Sequence, residues 1–230
     1  MKKNTTVKFS LIYLMIFIAG SLFSQDWANL NRFKSANEKI EMPAKDEMRV
    51  VFMGNSITEG WSNLAPEFFA GKPYINRGIS GQTTPQMLIR FRPDVIDLHP
   101  KVVVILAGTN DIAGNTGPAT LEEIVGNIES MAQLAKANGI KVVLSSVLPA
   151  FDYAWRPGLN PDEKIPQLNQ MIKEIAEQHG MVYLDYFAAM TDGKNGLPKQ
   201  LSPDGVHPNE AGYAVMGPLV EDAIKAALIK

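Results

Sequence analysis

Four short stretches of this chain carry side chains that can do chemistry. The first is Gly54-Asn55-Ser56-Ile57-Thr58-Glu59-Gly60. A glycine there permits a tight turn, and a serine opening the next helix offers its hydroxyl and its own N–H to whatever lies beyond. A serine at that place is also a common helix cap. The stretch is not a Gly-x-Ser-x-Gly elbow, because Thr58 stands where the second glycine would be. The second is Arg77-Gly78-Ile79-Ser80-Gly81-Gln82-Thr83-Thr84. Gly81 lets backbone N–H groups come close to an anion, though any tight turn into a helix uses glycine. The third is Gly108-Thr109-Asn110-Asp111, whose asparagine amide can donate a hydrogen bond or shape a turn. The fourth is Ser202-Pro203-Asp204-Gly205-Val206-His207-Pro208-Asn209. An Asp three residues before a His, on a turn set by Gly205 and flanked by prolines, lets the carboxylate reach the ring Nδ1–H. Nε2 is then free to accept a proton. Taken singly these features are ordinary. Jointly they are a hydroxyl, a base with its orienting acid, and donors for an anion.

Such parts act together only if a fold gathers them. Five apolar runs, at residues 49–54, 74–79, 102–108, 141–148 and 181–187, suit strands buried on both faces. Helical patterns lie between or after them at 61–70, 84–98, 120–138, 163–179 and 210–228. Asn138-Gly139 and His179-Gly180 end helices, while Pro118 and Pro208 sit near helix starts. This alternation predicts βαβ units in a three-layer α/β/α sandwich around a five-stranded, mostly parallel sheet of flavodoxin-like type. In such sheets the ligand crevice lies beyond the carboxyl ends of the strands, where all four stretches fall.

The four blocks resemble, in kind and order, those of the SGNH (GDSL-like) hydrolase family. Gly54-Asn55-Ser56-Ile57-Thr58 is similar to its first block, and Gly81, Gly108-x-Asn110-Asp111 and Asp204-x-x-His207 to its later ones. The flanking residues 76–84 and 106–111 are similar to the branch of platelet-activating-factor acetylhydrolase. The resemblance covers residues 49–228. One departure is Asn55, where the family usually has Asp before the serine. The resemblance implies a carboxylic-ester hydrolase in which Ser56 is the nucleophile, His207 the base and Asp204 its support. It further implies an oxyanion hole made by the Ser56 N–H, the Gly81 N–H and the Asn110 amide. No metal or organic cofactor is implied.

For the substrate, the machinery implies a carboxyl ester, with short-chain acetyl esters on saccharides as the first expectation. A lysophospholipase or thioesterase with a channel for a long acyl chain is the alternative within the family. A non-catalytic carbohydrate-binding protein on the same scaffold is the alternative from another class. Trp61, and Tyr153, Trp155 and Arg156 in the loop after the fourth strand, are candidate contacts for a sugar ring, with core packing as the other reading of these aromatics.

Composition narrows the classes further. The 230 residues are 46% hydrophobic and 20% charged with a net charge of −2. No basic field therefore draws the chain to nucleic acid. There is no cysteine, which excludes a disulfide framework, a thiolate metal site and a cysteine nucleophile. Residues 1–24 read as a signal peptide: Lys2, Lys3 and Lys8, then an apolar run over 9–23, then a processing site at Ser24–Gln25 or, failing that, at Ser21. Its removal takes three lysines and no acid, moving the charge from −2 to −5 and leaving an exported chain without stable membrane insertion. An uncleaved membrane anchor is the alternative. Residues 25–48 are then an N-terminal helical extension, with Trp27, Leu30, Phe33 and Ile40 on one face, and 49–230 the hydrolase domain. The oligomeric state is not legible.

Overall fold

The computed structural model describes residues 26–230; the expected signal peptide and its processing site at Ser24–Gln25 lie outside the described residues. Five strands form the sheet: β1 (Val50–Gly54), β2 (Tyr74–Gly78), β3 (Val102–Ile105), β4 (Lys141–Ser145) and β5 (Val182–Leu184). Every pairing is parallel, and the order is β2-β1-β3-β4-β5. This is the flavodoxin-like order, whose switch point opens between the carboxyl ends of β1 and β3.

The period-two pattern of each strand sorts its side chains between two cores. Val51, Met53, Val103 and Ile105 face α3 (Thr84–Asp94), α5 (Leu121–Ala137) and α6 (Pro161–Gln178), where Met87, Phe91, Ile128, Leu168 and Ile172 meet them. Val50, Phe52, Val102 and Val104 face α2 (Ser56–Leu64) and α8 (Glu210–Ile229), meeting Ile57, Trp61, Tyr213, Met216 and Val220. Two short helices, α4 (Thr109–Ile112) and α7 (Tyr186–Met190), follow β3 and β5 directly. Among the described residues, no helix is long and apolar enough to cross a membrane.

Three departures from the sequence reading have local causes. The first main helix starts at Ser56 rather than near residue 61, because Asn55 caps it through Ile57 N–H. The helix after β2 stops at Asp94, one residue past Pro93, which cannot continue the hydrogen-bonded ladder. A separate turn over Ile96–Leu98 follows, closed by His99 in the left-handed region at φ 51°. The N-terminal extension holds only one helical turn, α1 (Lys34–Asn37). Asp26 takes the N–H groups of Leu30 and Asn31 at 2.7 and 2.9 Å, and Asn29 turns left-handed at φ 55°. The run that spacing favours as a helix is therefore a chain of turns.

Candidate active site

The turn after β1 divides two jobs between neighbouring residues. The side chain of Asn55, 1% exposed, accepts the Ile57 N–H at 3.3 Å and caps α2. An amide oxygen does this as a carboxylate would, but adds no charge. Ser56 is the first helical residue, so its N–H has no acceptor within its own helix. Its hydroxyl is not spent on capping; Oγ lies 3.0 Å from Nε2 of His207, 151 residues away along the chain. Gly78 at the end of β2 lets α2 sit this close to the sheet, since a Cβ there would collide with the backbone nitrogen of Glu59.

The His207 turn is organised around one carboxylate. Asp204 Oδ1 accepts the N–H groups of Val206 and His207 at 2.9 and 2.8 Å and the Ser202 hydroxyl at 3.1 Å. Oδ2 lies 2.7 Å from His207 Nδ1. With the carboxylate on Nδ1, the ring proton sits there, and Nε2 turns a lone pair to Ser56. Partial burial pushes the Asp204 carboxyl up, but the backbone and ring donors of His207 and the Val206 N–H outweigh it and hold it down at about 2. A hydroxyl, an imidazole and an ionised carboxylate in this line can move a proton from oxygen to nitrogen while the oxygen attacks an electrophile.

The anion-stabilising candidates lie on the facing loops. Gly81 has φ 78°, and its carbonyl accepts the Asn115 amide at 3.0 Å. A side chain is strained at that backbone angle. The Asn110 side chain, at the start of α4, donates one N–H to the Gln82 carbonyl at 2.9 Å. Its second N–H remains for a ligand.

Beneath these loops runs a buried polar network that motif reading did not reveal. Arg90, 0% exposed, donates to the Gly54 carbonyl at 2.9 Å, to Gln82 Oε1 at 2.5 Å and to Asp94 at 3.0 Å. It thereby ties the residue two before Ser56 to the residue after Gly81. Burial pulls its guanidinium down, with the charge of Asp94 opposing. Asp111 accepts the Thr84 N–H at 2.9 Å and its hydroxyl at 2.6 Å, joining α4 to α3. Burial dominates these bonds and raises its carboxyl to about 6. Glu59, one turn after Ser56, holds Ser80 through both its N–H and its hydroxyl, and pairs with Arg32 at 3.2 Å. Burial pushes Glu59 up, but the Ser80 and Arg32 donors leave it below its ordinary value. The signal available in sequence was an Arg on the inward face of a helix; its partners come from distant segments.

Of the four residues expected to meet a sugar, the structure brings one to the crevice. Trp155 is 50% exposed, stacked on Tyr153 at 5.2 Å, with its ring 6.1 Å from that of His207. Trp61 is instead a core residue, 2% exposed and stacked between Phe68 at 4.5 Å and Tyr213 at 5.3 Å. Starting α2 at Ser56 turns position 61 inward with Ile57. Tyr153 is fully buried, its hydroxyl bonded to Thr109 Oγ1 at 2.8 Å. Arg156 Nη1 donates to the Ala113 and Gly114 carbonyls at 2.8 and 2.7 Å, and the residue lines a cavity of about 650 Å³ whose wall includes neither Ser56 nor His207.

A doubly wound sheet with serine, imidazole and carboxylate aligned at its switch point has the layout of hydrolases that work through an activated serine. The pattern of the GDSL-like Lipase/Acylhydrolase family matches residues 52–215, and the chain belongs to that family, which makes it by class a carboxylic-ester hydrolase. It is 28% identical to acetylxylan esterase of Xylanibacter ruminicola over 223 residues, 82% of this chain but 45% of that enzyme, so it spans less than half of that relative. It is 30% identical to esterase TesA of Pseudomonas aeruginosa over 160 residues, 68% of this chain and 73% of that one. The crystal structure of a GDSL-like lipase from Bacteroides thetaiotaomicron superposes with a TM-score of 0.85 at 48% identity, covering 87% of this chain and 99% of the other.

Proposed function

We propose that this protein is an exported serine esterase that removes acetyl groups from saccharides through an acyl-enzyme. The observation that carries the reading is the Ser56–His207–Asp204 line, with contacts of 3.0 and 2.7 Å. Ser56 Oγ attacks the ester carbonyl as His207 Nε2 takes its proton, and Asp204 stabilises the imidazolium. The Ser56 N–H, the Gly81 N–H and the Asn110 amide hold the oxygen of the tetrahedral intermediate. His207 returns the proton to the departing alcohol, then activates water to release acetate. The acetyl and saccharide parts of the reading draw support from the name of the Xylanibacter relative and from the exposed indole of Trp155 beside His207. Export draws support from the lysine-rich, then apolar, N-terminal sequence.

The test is Ser56→Ala, which abolishes both hydrolysis of a short-chain aryl acetate and labelling by a fluorophosphonate. Full activity in that variant overturns the mechanism. A series of p-nitrophenyl esters tests the acyl group: rates peak at acetyl, and a peak beyond octanoyl moves the enzyme to long-chain substrates. Periplasmic or extracellular recovery of a chain lacking residues 1–24 tests export.

A further inference from the structure

Residues 26–32 add no strand to the sheet, yet they are tied to the loop that carries Gly81. Gln82 donates to the Ala28 carbonyl at 2.7 Å and Gln86 to that of Trp27 at 2.6 Å. Arg32 reaches Glu59, which holds Ser80. Between this segment and the loop lies an open cleft of about 330 Å³. That is at the small end of the range of ligand sites, roughly 300–1,000 Å³. Trp27, Asn29, Gly81, Asn115 and Thr116 are among its walls, and among the described residues no Lys, Arg or His lines it.

That lining selects a chemistry. Its one carboxylate, Asp26, is already occupied by Leu30 and Asn31. An anion finds no cation there, and an acyl chain meets amides and hydroxyls. A neutral ring rich in hydroxyls, with one apolar face, finds what it needs. Trp27 is 46% exposed and offers a flat indole. Such a ring is apolar on its face and polar at one edge. Asn115 gives its N–H to Gly81 and keeps its Oδ1 lone pairs, and the Asn29 amide has no partner among the described residues. The loop holding Asn115 is pinned through Ala113 and Gly114 by Arg156, the neighbour of Trp155. Arg156 thus ties the loop that carries Trp155, whose ring is 6.1 Å from that of His207, to the loop that carries Asn115.

We propose that this cleft is a saccharide subsite, in which a sugar ring lies on Trp27 and hydrogen-bonds Asn29 and Asn115 while a neighbouring, acetylated unit reaches Ser56. Its place in catalysis rests on the saccharide reading above; its binding does not. The walls are tied down before a ligand arrives, so little ordering is lost on binding.

Kinetics on p-nitrophenyl acetate and on acetylated xylo-oligosaccharides of increasing length test this. Trp27→Ala lowers the ratio of kcat/KM for the longer oligosaccharide to that for the aryl ester roughly tenfold, through KM. Trp27→Phe, which keeps a ring, recovers part of it, and Asn29→Gly, which keeps the left-handed backbone, lowers it by less. An unchanged ratio in Trp27→Ala overturns the subsite. If the wild type cleaves aryl acetates but frees no acetate from any saccharide, the substrate reading fails separately. Calorimetry of the Ser56→Ala protein with unacetylated xylo-oligosaccharides then decides the subsite: binding weakened by Trp27→Ala supports it, and no binding overturns it.

Discussion

Arg90 and His207 both serve the crevice, but Arg90 is 0% exposed whereas the His207 side chain is 39% exposed. The serine side is underpinned by long-range buried bonds that join β1, the Gly81 loop and α3. The imidazole side is a local turn in which Asp204, Val206 and His207 satisfy one another within three residues. Position on the first side is inseparable from stability, whereas on the second side Val206 packs into the core but the His207 and Asp204 side chains, 39% and 41% exposed, lie outside it. The two meet where Ser56 Oγ lies 3.0 Å from His207 Nε2.

The sharpest way to break that comparison is to change one residue on each side. His207→Ala is expected to lower kcat by ~10⁶, the scale found in a comparable triad, with only a small shift of the unfolding midpoint from the lost Asp204 contact. Urea unfolding alongside the kinetics checks both halves; a large loss of stability would erase the distinction. Arg90→Met takes from buried Asp94 its ion-pair partner, leaving it the Asn37 amide at 2.8 Å, and is expected to cost about 3–5 kcal/mol of stability, read by the same titration. Asn110→Ala lies between these cases. On the proposed mechanism, in which its amide is one oxyanion donor, the loss is expected to lower kcat ~10²–10³-fold with little change in KM. The freed Gln82 carbonyl also costs about 1–3 kcal/mol of stability.

Charge separates the sides more gently. Asp111 is raised to about 6 by burial, so between its ordinary value of 3.8 and about 6 the folded chain holds a proton that the unfolded chain has lost. Its contribution is therefore fully present below pH 3.8 and is lost as pH rises through about 6. Asp111→Asn should gain on the wild type over that interval, by up to about 3 kcal/mol, and level off above it. Denaturant titrations from pH 4 to 8 measure this. Asp204, held at about 2, behaves oppositely: its stabilisation is present above pH 3.8 and lost as pH falls towards 2.

Much of this was legible because it is written in short spacings. The apolar runs announce five strands, and Asp204-Gly205-Val206-His207 builds its turn from adjacent residues. The faces of the aromatics were not legible. Trp61 follows the serine turn closely in sequence, yet where α2 begins decides that it points into the core. Tyr153 lies in a loop, and its burial depends on Thr109, 44 residues earlier. The N-terminal run has helical spacing, but Asp26 and a left-handed Asn29 favour turns, and the Gly81 loop then holds those turns in place.

By itself, then, the sequence determined the α/β alternation, the family and the internal geometry of each motif. Periodicity and turn chemistry act over a few residues and need no knowledge of the rest. Only the tertiary structure decided that Ser56 stands within hydrogen-bonding reach of His207, that Arg90 braces both loops from below, and that residues 26–29 wall a cleft beside Gly81. Those contacts join segments tens to more than a hundred residues apart. They exist only once the parallel sheet has stacked its carboxyl ends along one edge and two packed cores have fixed which face each helix turns inward.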